Sequence, residues 1–76
     1  MLIKIGTPVK AYIMTNISKH EYHTFYGYAD GYDSDNFDLI RVKVCSIDKE
    51  PTIETKDNYI ATLEFKAKDV KKYNFL

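Results

Sequence analysis

Two histidines, a single cysteine and one run of short acidic side chains are the residues of this sequence equipped for metal binding or covalent chemistry. His20 and His23 stand three apart. A strand sends successive side chains to opposite faces, so the two imidazoles would point away from each other and could not share one ion. The segment reads better as a turn histidine followed by a strand histidine. The run Asp33-Ser34-Asp35-Asn36-Phe37-Asp38 has the oxygen-rich start of a calcium loop, but Phe37 occupies a ligand position and no glycine follows it. Asp, Ser and Asn side chains that bond their own backbone explain the run as a turn. Cys45 follows the apolar alternation of residues 40–44, and no neighbouring residue is placed to activate its thiol, so packing is its expected role. Phosphate loops, nucleophile elbows and paired-carboxylate motifs do not occur. Neither an enzyme nor a cofactor or metal site is expected.

The residues with the clearest binding chemistry are aromatic. Tyr22, Tyr26, Tyr28 and Tyr32 share one parity of the segment from Glu21 to Tyr32, and Tyr12 would join them if the preceding strand pairs alongside. A row of outward tyrosines gives a large amphipathic surface that is ordered at small entropic cost, the composition of interface hot spots. On a small domain the same rings could instead cover the ends of the core. Asp30, Asp33 and Asp35 add negative charge beside this row, and Arg41 and Lys43 on the next segment add positive charge. Together these ten residues form the candidate binding surface.

A core must hold that surface in place, and 76 residues suffice for one core, giving a single small domain over residues 1–76. With one cysteine there is no internal disulfide, so packing alone must stabilise the fold, as expected of a reducing cytoplasm. No apolar run reaches the roughly 18 residues needed to span a bilayer, and Lys4 interrupts the apolar start too early for a signal peptide. Lysines with Arg41 balance the acids to a net charge of zero, which removes the simplest case for nucleic acid. The balance is uneven along the chain. Residues 21–38 hold acids and no Lys or Arg, whereas Lys66, Lys68, Lys71 and Lys72 crowd the end.

Apolar residues recur with period 2 and nowhere with a sustained period of 3.6, which predicts an all-β chain. Val9, Ala11 and Ile13 mark a strand over residues 8–15 with odd positions inward, and Leu2-Ile3-Lys4-Ile5 reads as a short strand before it. Asn16 to Lys19 reads as a turn. In residues 21–32 the inward parity carries His23, Phe25, Gly27, Ala29 and Gly31, small residues that suit a sharp bend or a close backbone approach. After the Asp33–Asn36 turn, residues 37–46 form the second arm of a hairpin, with Ile40, Val42 and Val44 inward. Residues 47–58 read as a loop holding a short edge strand at Thr52-Ile53-Glu54. Residues 59–66 read as a strand with Ala61, Leu63 and Phe65 inward. Ala67 to Tyr73, with Val70 and Tyr73 three apart, predicts a 3₁₀ or helical turn capping the core, and Asn74-Phe75-Leu76 a last edge strand.

This order of elements resembles an SH3-like five-stranded small barrel with a short 3₁₀ turn near the C-terminus, the resemblance resting on Gly6-Thr7-Pro8-Val9, on Gly27-Tyr28-Ala29-Asp30-Gly31-Tyr32-Asp33 and on Leu63-Glu64-Phe65-Lys66-Ala67-Lys68-Asp69-Val70. An OB-like barrel or an open antiparallel sheet is the alternative. The resemblance is one of fold, and such barrels serve as adaptors for peptides, proteins and nucleic acids. The chain has no tryptophan and no ALYDY-like opening, so proline-rich ligands are not expected. The expected function is that of a non-catalytic module binding another protein, an inhibitor or modulator of a host factor encoded by a phage or mobile element, an origin suggested by small size and Lys-, Asn- and Ile-rich composition. Single-stranded nucleic-acid binding through the tyrosines and lysines, and self-assembly through sheet edges, are the alternatives.

Overall fold

Alternating apolar residues produce five strands in the computed structural model, which describes residues 2–74: β1 (Pro8–Asn16), β2 (Glu21–Tyr32), β3 (Leu39–Ile47), β4 (Ala61–Lys66) and β5 (Val70–Lys72), with a 3₁₀ turn (Ala67–Asp69) between the last two. All pair antiparallel in one sheet of order β4-β3-β2-β1-β5. The all-β class and a 3₁₀ turn near the C-terminus are as the sequence predicts, although the turn ends at Asp69 and Val70–Lys72 continue as a strand. Of the predicted strands, those beginning at Leu2 and Thr52 are not formed. Residues 2–4 are irregular and Gly6 donates to the Ala29 carbonyl at 2.8 Å, while Thr52 opens a turn whose carbonyl accepts the amides of Thr55 and Lys56. The fifth strand is instead β5, paired to β1 through Ala11↔Val70 and Val9↔Lys72. The predicted strand at Asn74-Phe75-Leu76 is absent at Asn74, and its last two residues lie outside the described ones.

The core is built from the inward parity of β1, β2 and β3 with Phe65 and Val70; of the residues predicted inward on β4 only Phe65 is buried, Ala61 and Leu63 being exposed. Val9, Ala11, Ala29, Ile40, Val42, Val44, Phe65 and Val70 are buried, with Ile3, Ile13, Phe25 and Tyr32 packed around them. Ile40 is wholly buried between β2 and β4, opposite Tyr32 on one side and Phe65 on the other. Truncating it leaves a cavity that the closely packed sheet cannot collapse into. Ile40→Ala is therefore expected to cost about 2–5 kcal/mol in urea unfolding.

Two bulges bend the sheet around this core. From Tyr26↔Ser46 to Gly27↔Val44 the register gains one residue on β3, Cys45, which is buried with its Sγ 3.5 Å from the Tyr26 carbonyl. Burial holds its thiol above the usual pKa. From Ala29↔Val42 to Tyr32↔Ile40 the extra residue lies on β2, at Asp30-Gly31, and Gly31 takes a positive φ of 103° that a side chain would strain. Between the bulges the backbones nearly touch. A Cβ on Gly27 would lie 2.0 Å from the Lys43 carbonyl oxygen. The close approach expected of the small residues in β2 is thus located at Gly27.

The open end of the β2–β3 pair is held by Asp48. Its Oδ1 accepts the Thr24 amide at 3.0 Å, its Oδ2 lies 2.6 Å from His23 Nδ1, and its own amide donates to the Thr24 carbonyl. The His23 bond, then the Thr24 bond, lower the Asp48 pKa. A carboxyl lowered on folding stabilises the native state above its unfolded value of about 3.9, and that contribution is lost as pH falls through the lower folded value. Asp48→Asn keeps the shape and tolerates the positive φ of this residue. It is expected to flatten the dependence of unfolding free energy on pH below about pH 4, read from denaturant midpoints across an acid series.

Candidate functional site

The parity that buries Val9 and Ala11 must turn Lys10 and Tyr12 outward, and antiparallel register then sets them beside β2. Lys10 faces Tyr26, Tyr12 faces Thr24 and Met14 faces Tyr22. On the other side of β2, Tyr28 faces Lys43 and Tyr26 faces Ser46. Side chains of one outer face are thereby collected from β1, β2 and β3.

Tyrosines dominate it, and they meet in three pairs. Tyr12 and Tyr22 are stacked, with centroids 5.0 Å apart and planes within 6°. Tyr26 meets Tyr73 at 5.3 Å and Tyr28 meets Tyr59 edge-on at 6.1 Å. Lys10 Nζ lies 5.1 Å from the Tyr73 ring centre and Lys43 Nζ 5.5 Å from that of Tyr59. These contacts fix the rings in place while leaving surface open: Tyr12 is 60% exposed, Tyr59 50% and Tyr22 43%. The Tyr12–Tyr22 stack also walls a groove of about 490 Å³ whose far side is formed by Glu64, Phe65 and Lys66.

Hydroxyl chemistry differs along the face. The Tyr73 hydroxyl donates to the Glu50 carboxylate, which pushes its pKa up to about 12 because ionisation would break the bond and oppose two negative charges. The Tyr28 pKa is raised by partial burial first and by Asp57 second. Both phenols therefore remain neutral donors well above neutral pH.

Of the ten residues proposed from sequence, Tyr12, Tyr22, Tyr26, Tyr28 and Lys43 are on this face. Asp30 joins them through an ion pair to Lys43, 3.9 Å long. Arg41 lies opposite Glu64 on the same parity as Lys43. Tyr32 does not belong. The bulge at Asp30-Gly31 shifts its parity, so it packs against the core, accepts the Ile3 amide on its hydroxyl at 3.0 Å and meets Phe37 edge-on. Asp33 and Asp35 shape the turn after β2, where Asp33 Oδ1 accepts the amides of Asp35 and Asn36. That turn continues through Asp38, so β3 starts at Leu39 and not at Phe37.

Tyr59 and Tyr73 are members of the face that lie outside those ten residues. Spacing from Val70 predicts Tyr73 as a cap on the core, but the chain is extended there and Tyr73 falls on the parity opposite to Val70, its amide bonded to the Pro8 carbonyl. A period-2 reading of Val70-Lys71-Lys72-Tyr73 is the signal that finds it. The strand predicted from residue 59 begins only at Ala61, after Ile60 donates to the Val44 carbonyl, so Tyr59 lies outside the ladder and meets Tyr28.

His20 sits in the β1–β2 turn with a positive φ, apart from the His23–Asp48 pair. Among the described residues no group of three or more His, Cys, Asp or Glu side chains is placed to hold a metal ion, and no helix is long and apolar enough to cross a membrane. What the arrangement offers is a preorganised aromatic surface edged by lysines and acids. No protein-family model, curated protein or solved structure matches the chain.

Proposed function

We propose that the chain is a non-catalytic protein-binding module that engages its partner through the outer tyrosine face of β1, β2 and β3. The observation that carries this reading is the gathering of six of the seven tyrosines, from both hairpin strands and from the ends of the chain's last two strands, onto one face, with open ring surface at Tyr12, Tyr22 and Tyr59. Held against one another the rings lose little freedom on binding, and each offers an apolar body with a hydroxyl at its tip. The expected partner is a host protein whose activity the module modulates by stoichiometric occupation.

We further infer an SH3-like small barrel. The order β4-β3-β2-β1-β5, the 3₁₀ turn between β4 and β5 and the bend at the two bulges support that reading. Fold carries no function by itself, so the tyrosine face remains the basis of the proposal.

The test is capture from the lysate of the native host, with and without nuclease. Recovery of one protein in comparable amount from both samples is the expected result. Recovery that disappears on nuclease treatment would transfer the same face to single-stranded nucleic acid, with bases stacked on tyrosines and Lys10 and Lys43 on phosphates.

A further inference from the structure

Charge is distributed unevenly over the tyrosine face. On its β1–β5 side, Lys10 and Lys71 are direct cross-strand partners. Like charges so opposed weaken a ladder. Ion pairs among the described residues join His23 to Asp48 and Lys43 to Asp30, so neither Lys10 nor Lys71 is neutralised by a carboxylate in contact. Lys10 instead holds its ammonium over the Tyr73 ring, beside Tyr26. Elsewhere on the face the acids intervene, Asp30 at Lys43 and Asp57 near Tyr28, while Glu50 borders the lysine pair through its bond to the Tyr73 hydroxyl.

From this we propose, resting on the tyrosine-face reading, that the Lys10–Lys71 pair receives an acidic side chain of the protein partner, next to an apolar group seated on Tyr26 and Tyr73. A carboxylate placed there relieves the repulsion between two ammonium groups and is itself desolvated only in part. The same pattern disfavours a nucleic acid, because a uniform polyanion laid along the face would meet Asp30, Glu50 and Asp57 in turn. Complementary charge at one lip of an aromatic surface fixes orientation and speeds encounter, while the aromatics supply the affinity.

Amide-resolved NMR titration tests the inference with four probes: a short peptide with one tryptophan among glutamates, the same peptide with lysines, the same with serines, and an oligothymidylate. The glutamate peptide is expected to shift the amides of Lys10, Tyr26, Lys71 and Tyr73 and to bind about tenfold more tightly than the serine peptide. Lys71→Glu, which sets opposite charges across the ladder and leaves the β5 backbone pairing in place, is expected to erase that preference; Lys10→Ala is the second variant. Equal binding of the glutamate and serine peptides at these amides would overturn the acidic seat and leave the tyrosine face standing. No shift from any peptide, with partner capture still lost on Tyr26→Ala, would also overturn the acidic seat alone. Tighter binding of the oligothymidylate at the same amides would overturn both.

Discussion

Gly27→Ala is expected to lower the urea midpoint sharply, by the equivalent of roughly 3 kcal/mol or more. The added methyl carbon would lie 2.0 Å from the Lys43 carbonyl oxygen, 2.8 Å from its carbon and 2.9 Å from the Val44 Cα, all backbone atoms of the neighbouring strand. A flexible side chain could swing aside, but here relief requires β2 and β3 to separate where Cys45 bulges and where Val42 and Val44 are packed. The cost should reach the top of the roughly 1–3 kcal/mol range for overpacking or pass it. A domain of this size is stable by roughly 4–11 kcal/mol, so much of the margin is removed. Gly31→Ala is the informative contrast. Its φ of 103° strains a side chain, yet the nearest atom, in the Ile5 side chain, is 3.5 Å away, so a loss of about 1–2 kcal/mol is expected. Circular dichroism and urea midpoints of the two variants separate close approach from backbone strain. Equal, mild losses would contradict the contact seen at Gly27.

Tyr26→Ala and Tyr28→Ala should carry the largest effects on binding. Both rings lie at the centre of the outer face, each against a second tyrosine, and central aromatic residues dominate interface energetics. Each substitution is expected to cost about 2 kcal/mol or more of partner affinity, roughly thirtyfold, measured by calorimetry with the captured partner. Since the rings also pack on Tyr73 and Tyr59, the alanine variants need a folding control. Phenylalanine at the same positions keeps the packing and removes only the hydroxyl, so Tyr26→Phe and Tyr28→Phe should retain most of the affinity. Moderate salt should change it little, in contrast to the steep salt dependence of a phosphate-bound face.

The central strands and their inward residues were legible because period-2 alternation is a local signal. Val9 and Ala11, Ile40, Val42 and Val44 are buried as that alternation requires, and the run of small residues in β2 marked the place where two backbones meet. The reading failed where a tertiary event changes the parity. One extra residue at Asp30-Gly31 sends Tyr32 to the core, and nothing in the spacing of Tyr28 and Tyr32 distinguishes a regular strand from a bulged one. Edge elements failed for a second reason. Leu2-Ile3-Lys4-Ile5 and Thr52-Ile53-Glu54 have strand composition but no ladder to join, whereas Val70-Lys71-Lys72 is short and lysine-rich yet becomes β5 because β1 presents an edge. The tyrosine face was visible in outline from β1 and β2. Tyr73 follows from a period-2 reading of Val70-Lys71-Lys72-Tyr73, whereas Tyr59 completes the face through its contact with Tyr28, far away in sequence, which spacing does not encode.

Tyrosine footprinting of the captured complex tests the tyrosine face most directly. In the free protein, nitration should modify the open rings of Tyr12, Tyr22 and Tyr59 ahead of the others. Bound partner is expected to protect these three together while nitration of exposed tyrosines on the partner continues. An unchanged modification pattern in the saturated complex would show that the partner sits elsewhere and would contradict the assignment of this face.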